Sequence, residues 1–333
     1  MKIAVDVMGG DYAPDSPIEG AIEAVSEYGV EVILVGKEEV IKEKLGSRLH
    51  DLSGVEIVNA DEQVEMADPP TIAFRKKKNS SIRIATDLVK EGRAQGLVSA
   101  GNTGAVMATA KFVLGTLEGV DRPALAMAIP TPEGSAVLLD VGANVDCKPE
   151  HLVQFAIMGS TFASEVLGKE NPKVGLLNIG EEETKGNELT RKTYQSLLRA
   201  PINFYGNVEG RDVFAGRVEV IVCDGFTGNV ILKVSESIAE TMASILKEEL
   251  SRDFFARIGY IFLKKAFAHF KKKADYAEYG GAPLLGIKEV CVICHGRSSP
   301  KAIKNAIRIV KNYYENRVNE RIRKRLVEFN KNG

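Results

Sequence analysis

One unit recurs along this chain: a short β-branched strand, a glycine-rich polar turn, then a helical stretch. Residues 97–100 lead into Gly101-Asn102-Thr103-Gly104 and a helix over 105–114. Residues 136–141 lead into Gly142-Ala143-Asn144, with a helix expected over about 150–167. A strand at 174–179 gives the turn 180–187 and a helix over 188–198; another at 218–223 gives the turn 224–229 and a long helix to Leu250. The last, at 290–294, gives His295-Gly296-Arg297-Ser298-Ser299, with Pro300 suited to a first helical turn. Further strands fall around 3–7, 32–35 and 55–58. Near-continuous apolar strands alternating with helices imply a mostly parallel sheet covered on both faces. The expected fold is a doubly wound three-layer α/β/α sandwich, one α/β domain over 1–333. A helical hairpin is expected as an insertion at 250–275, and a charged, solvated C-terminal helix at 312–333.

Charge narrows the partners. The 44 basic and 45 acidic side chains leave a formal charge of −1, which argues against a general nucleic-acid binder. Met1 and Lys2 lead into a segment too short and interrupted for a signal peptide, and no apolar run approaches the ~20 residues of a membrane span. The expected location is the cytosol, with the four cysteines reduced.

In a sheet of this kind ligands bind beyond the carboxyl ends of the strands. Asp6, Ser99, Asn102, Thr103, Asp140, Asn144, Lys185, Asn187, Asp224, Asn229 and His295 all follow strands. Turns collect such residues for backbone reasons too, but five of these loops are expected on one edge of one sheet. The 101–104 turn suits an anion, through backbone N–H groups at a helix start, and equally suits plain capping by Asn102 or Thr103. It is not a Walker loop, and no GxGxxG follows a strand, so dinucleotide binding has no motif. The run Glu181-Glu182-Glu183-Thr184-Lys185 reads either as an acidic helix start or as a carrier for Lys185, a mobile cation for phosphate or an oxyanion.

No Gly-x-Ser-x-Gly elbow exists, and only His295 of four histidines falls on the ligand edge. If the chemistry is acyl transfer, the nucleophile is therefore expected to be the substrate, and phosphate dianion fits because it needs positioning more than deprotonation. Cys291-Val292-Ile293-Cys294-His295 has the haem-attachment spacing but lies in a buried strand. Core cysteines are the better reading, and no metal site is expected.

Residues 252–273 stand apart. Phe254, Phe255, Ile258, Ile261 and Phe262 form one helical stripe among seven Lys and Arg. A buried helix pair, a dimer contact and a membrane-surface or acyl-chain element all fit. Arg75-Lys76-Lys77-Lys78 is a second basic run, either a solvated face or a contact for an acidic protein.

Taken in order, Asp6-Val7-Met8-Gly9-Gly10-Asp11 with Ala13-Pro14, residues 99–105, 138–147, 176–187, 206–212, 223–233, and 279–286 with His295-Gly296 resemble the PlsX-type phosphate acyltransferases of bacterial phospholipid synthesis. The match runs over about 1–310. This resemblance implies a fold similar to the isocitrate/isopropylmalate dehydrogenase and phosphotransacetylase group, a homodimer, and no metal, nicotinamide or other cofactor. It implies acyl-carrier-protein thioester and phosphate as substrates, and acyl phosphate passed to a membrane glycerol-3-phosphate acyltransferase. It also gives 252–273 a purpose, peripheral contact with the inner membrane face.

On loop position, Ser99, Gly101, Asn102, Thr103, Gly104 and Asn144 are expected to bind phosphate, and Lys185 to balance its charge. Asn187 and Asn229 are expected to hold the oxyanion, with His295 or Asp224 steering a proton. The rivals are a phosphate acetyl- or butyryltransferase acting on short acyl-CoA, a decarboxylating dehydrogenase, and a lipid-sensing scaffold.

Overall fold

The computed structural model describes residues 1–50, 52–252, 263–265 and 278–332, and among these eleven strands form one sheet. One parallel block contains β1 (Lys2–Asp6), β2 (Glu31–Gly36), β3 (Val55–Asn59) and β4 (Gly96–Ser99), joined by the far strand β11 (Val290–Ile293). A second parallel block contains β6 (Gly134–Leu139), β7 (Lys173–Leu177), β8 (Asn203–Val208) and β9 (Val220–Val222). Between them lie β5 (Ala124–Thr131) and β10 (Ala282–Leu285), giving the order β3-β2-β1-β4-β11-β10-β5-β6-β9-β7-β8.

The mostly parallel, doubly covered sheet is as expected, but its edges are not. The ladders β11–β10, β10–β5 and β5–β6 are all antiparallel. Three reversals make the second block run opposite to the first. The loops after β1, β4 and β11 therefore leave one edge of the sheet, and those after β6, β7 and β9 leave the other. The expectation of a single ligand edge is corrected here. Its source is β5, of eight residues, and the short β10, two antiparallel strands that the recurring unit does not reveal.

Alternation along each strand feeds two apolar cores. Ile3, Val5, Val98, Leu139 and Val222 face one side, with α1 (Asp15–Tyr28), α2 (Glu38–Leu45), α6 (Pro149–Leu167), α7 (Glu188–Leu197) and α9 (Pro300–Glu315) packed on it. Ala4, Leu97, Leu138 and Ile221 face the other, covered by α4 (Ser81–Lys90) and α5 (Thr103–Leu114). Phe74 of the short α3 (Pro70–Arg75), and Ile231 and Leu232 of α8 (Gly225–Arg252), pack against that second side. In α6 every residue from His151 to Ala163 is buried. Such a helix, apolar nearly all round, belongs in the centre of a large core.

Ser299 caps α9 by accepting a hydrogen bond from the Ala302 N–H, and Pro300 occupies the first turn as its missing N–H allows. The C-terminal expectation needs revision. The chain breaks at Arg317, which takes a left-handed φ of 50°, and α10 (Val318–Asn332) follows. That helix is not simply solvated: Val318, Ile322 and Leu326 are fully buried in the first core. Three apolar residues spaced by four on a charged helix are the sequence signal for this seat. The cysteine reading stands: Cys291 on β11 and Cys294 just after it are buried in opposite cores, and burial pushes both thiols up to about 12.

Candidate active site at two sheet edges

At the first edge the organising group is Asp6. Its carboxylate is buried, accepts the Ser99 hydroxyl at 2.6 Å and the Met8 N–H at 3.2 Å, and is also hydrogen-bonded by Ser81. Burial pushes the Asp6 carboxyl above its ordinary range, and these donors partly offset the shift. Ser99 in turn accepts the Gly101 N–H at 3.1 Å, so the strand end fixes the turn that follows. Gly9 closes the cradle, because a Cβ there would sit 2.6 Å from both Asp6 Oδ2 and the Gly101 nitrogen. Gly9→Ala is therefore expected to cost about 1–3 kcal/mol, read from the urea midpoint. An unchanged midpoint would mean that the cradle is loose.

Asn102 is not available as a ligand through its side chain. Its Oδ1 accepts the Ala105 N–H at 3.0 Å, and its Nδ2 donates to the carbonyls of Met66 and Asp68 at 2.8 and 3.0 Å. What the turn offers an anion is the first helical N–H groups at Thr103 and Gly104, which have no intrahelical acceptor. His295 follows the adjacent strand on the same edge, exposed, with its Nδ1 accepting the Arg297 N–H at 3.2 Å. Arg297, 3.9 Å from Asp11, adds a cation here that the sequence reading passed over although it sits two residues beyond His295.

At the second edge Asp140 plays the part of Asp6. Its fully buried carboxylate accepts the N–H groups of Leu125, Gly142, Ala143 and Asn144 and the side-chain amide of Asn144, at 2.7–3.2 Å. Asn144 also donates to the Pro123 carbonyl at 2.8 Å and is buried. It positions the loop; the phosphate contact expected of its side chain does not fit that burial.

Beside this loop opens a pocket of about 550 Å³, lined by Asn178, Gly186, Asn187, Asp224 and Thr227 among Leu152, Leu177, Ile179 and Ile231. Asn187 caps α7 through Oδ1, which accepts the Thr190 N–H at 2.9 Å, while its amide NH₂ has no bond among the described residues. Asp224 accepts the Thr227 N–H and hydroxyl at 2.9 and 2.8 Å, at the start of α8. Asn229 lies exposed over Gly142. The three glutamates are sorted by their neighbours. Glu181 pairs with Arg217 at 3.1 Å, Glu183 accepts the Tyr194 hydroxyl at 3.1 Å, and the Glu182 carbonyl accepts from Asn207 at 3.0 Å. Lys185 is exposed, and no carboxylate among the described residues pairs with it. The pocket thus combines an apolar wall, amide donors, one carboxylate and a nearby mobile cation.

The nominated residues therefore form two groups rather than one. Ser99, Gly101, Asn102, Thr103, Gly104 and His295 share the first edge; Asn144, Lys185, Asn187, Asp224 and Asn229 share the second. Thr227 and Asn178 are pocket residues that sequence reasoning did not nominate, though Thr227 lies within the 224–229 turn and Asn178 two residues before the 180–187 turn. Phe254, Phe255, Ile258, Ile261 and Phe262 lie outside the described residues. Among those described, no three His, Cys, Asp or Glu side chains converge as metal ligands, and no helix is long and apolar enough to cross a membrane.

Residues 1–321 match the family described as fatty acid synthesis protein. The chain belongs to that family. It is 55% identical over 330 residues to a protein named phosphate acyltransferase from Geobacter sp. (strain M21), covering 98% of this chain and 93% of the relative. A phosphate acyltransferase of Aquifex aeolicus (strain VF5) is 53% identical over 323 residues, covering 97% and 96%. Among solved structures, a phosphotransacetylase from Streptococcus pyogenes superposes with a TM-score of 0.62 at 17% identity, covering 94% and 93%. The EutD phosphotransacetylase of Staphylococcus aureus gives 0.61 at 17% identity, covering 94% of each chain. At that identity the family shares its fold with these enzymes, and the likeness carries no more than fold.

Proposed function

We propose that this chain transfers a long-chain fatty acyl group from an acyl-carrier-protein thioester to inorganic phosphate. The observation that carries the reading is full-length likeness, above half identity, to relatives named phosphate acyltransferase. In the reaction a phosphate oxygen attacks the thioester carbonyl, the tetrahedral oxyanion forms, and the C–S bond breaks. Acyl phosphate leaves, and the carrier thiolate takes a proton. Lys185 balances the charge of phosphate or oxyanion, and the spare amide of Asn187, with Asn229, donates to the oxyanion. The helix-start N–H groups at Thr103 and Gly104 hold phosphate at the other sheet edge, so this reading requires the two edges to be brought to one centre. Asp224 or His295 steers the proton to the departing thiol. The apolar pocket wall gives the first carbons of the acyl group a place to lie.

The protein works in the cytoplasm, touches the inner face of the membrane through 252–273, and hands its product to a membrane glycerol-3-phosphate acyltransferase. It acts as a homodimer. Support for the dimer comes from α8, which is exposed at every residue from Ser237 to Glu249. Ile238, Met242, Ile245 and Leu246 form one stripe there, each 40–63% exposed. A helical stretch of that length is marginal by itself, so a copy of the same stripe is a fitting cover. Ile238→Asp with Met242→Asp is expected to shift the dimer mass to the monomer mass in light scattering. A mass that does not change removes α8 from the interface.

The reaction is tested with purified protein, palmitoyl-carrier protein and phosphate, trapping acyl phosphate with hydroxylamine. Phosphate-dependent hydroxamate is expected. Product only from acetyl- or butyryl-CoA would make the short-chain rival correct, and no product from either would favour the scaffold.

A further inference from the structure

We infer that α3 and the C-terminal half of α5 form a docking surface for an acidic protein, the carrier that brings the acyl thioester. The inference rests on the acyl-transfer reading and adds where the donor is held.

The segment 66–78 lies along α5 from one end towards the other. At the start of α5, the carbonyls of Met66 and Asp68 accept the Asn102 amide at 2.8 and 3.0 Å. Pro70 then packs so closely that a Cβ at Gly104 would sit 2.7 Å from its Cγ. Towards the far end Phe74 stacks on Phe112, with ring centroids 4.6 Å apart and planes 18° from parallel. The basic run 75–78 is thereby held beside the last turns of α5.

Its four cations are not equivalent. Lys77 is engaged, donating to Asp68 at 2.5 Å and to the Gln63 carbonyl at 2.9 Å. Arg75, Lys76 and Lys78 are exposed, and so is Lys111 beside Phe112. No carboxylate among the described residues pairs with any of these four. Phe112 is 61% exposed even though its ring stacks on Phe74. An exposed aromatic anchor ringed by unneutralised cations has the composition of an interface with an acidic protein. The whole chain carries a formal charge of −1, so this field is local to the patch.

A membrane surface fits the patch less well. Bilayers take an amphipathic helix by its apolar face, but Ala105, Val106, Ala110 and Val113 of α5 are already buried in the second core.

The patch also stands at a workable distance from the chemistry. Phe112 lies nine residues beyond Thr103, about 14 Å along the helix axis. A thioester on an extended arm crosses such a gap from a protein docked at the far end of α5. The acyl carbon then arrives where the helix-start N–H groups hold phosphate, while the body of the carrier stays outside.

The test is one variant carrying Arg75→Glu, Lys76→Glu and Lys78→Glu. Binding of palmitoyl-carrier protein is measured by calorimetric titration without phosphate, and turnover by hydroxamate. Binding is expected to weaken about 10–100-fold, because three attractions become three repulsions. KM for the carrier should rise by a similar factor while KM for phosphate stays at the wild-type value, a split that a folding defect would not give. High salt should weaken wild-type binding and narrow the difference between the two proteins.

Unchanged carrier binding, or none by the wild type, overturns the proposal even if the wild type makes acyl phosphate. Weaker binding by the variant supports it even if the wild type makes none, and then the functional reading fails alone. Two other results also overturn it. Lost sedimentation with phosphatidylglycerol vesicles at unchanged carrier binding would make the patch a membrane contact. A shift from dimer to monomer mass in light scattering would make it a contact between copies of this chain.

Discussion

Asp140→Ala is expected to destabilise the protein by roughly 3–5 kcal/mol, the largest stability effect anticipated outside the apolar core. The buried carboxylate accepts five hydrogen bonds, four from backbone N–H groups and one from Asn144. Alanine leaves those donors facing nothing, each at a desolvation cost of about 1–3 kcal/mol that solvent entry only partly relieves. Asn144 would lose its anchor at the same time, and Gly142 and Ala143 their fixed geometry. Urea denaturation measures the loss, and a change under about 1 kcal/mol would show that the loop is held by packing alone. The pH dependence has a definite sign. Burial raises the folded pKa of Asp140 above its ordinary 3.8, despite the donors. Its contribution is thus fully present below that ordinary value and is lost as pH rises through the folded value. Asp140→Asn should flatten that portion of the stability profile, and a profile identical to the wild type would contradict the assignment.

Lys185→Ala is expected to lower turnover by about 10²–10³-fold, the effect of removing one group that stabilises a developing charge. Stability should hardly change, because the side chain is exposed and pairs with no described carboxylate; surface changes of this kind stay within about ±0.5 kcal/mol. The separation of the two readouts is what makes the variant informative. A parallel fall in melting temperature would mean that the lysine stem, which lies against Gly180, holds the 180–187 turn together. Wild-type turnover would remove Lys185 from the chemistry.

Much of this was legible in the residues themselves. The helix expected from about 150 begins at Pro149, and Pro300 opens α9 as its chemistry requires. The strand at 290–294 alternates its cysteines between the two cores, as residues three apart on a strand must. Long apolar runs bounded by glycine-rich turns carry such signals locally. What was missed is non-local. Residues 282–285 are four apolar residues whose partners are Val292 and Ile293 on one side and Ala124 and Leu125 on the other. Nothing in that short stretch states a direction, yet its two antiparallel ladders, with β5–β6, turn half the sheet around. The same limit applies to Asn102 and Asn144. Their residue type fits either a ligand or a brace, and only their partners, Met66 and Asp68 for one and Asp140 and Pro123 for the other, show them braced. The buried face of α10 was within reach, since Val318, Ile322 and Leu326 recur every four residues inside a heavily charged segment.

Phosphorus NMR of the reaction tests the central claim most directly. Palmitoyl-carrier protein is incubated with the wild-type enzyme at increasing phosphate, and free carrier thiol is measured in the same samples. An acyl phosphate resonance should grow with phosphate, with one thiol released for each acyl phosphate formed. Thiol release that proceeds without phosphate, leaving free fatty acid and no new phosphorus resonance, would mean that water is the nucleophile and would contradict the assignment of acyl transfer to phosphate.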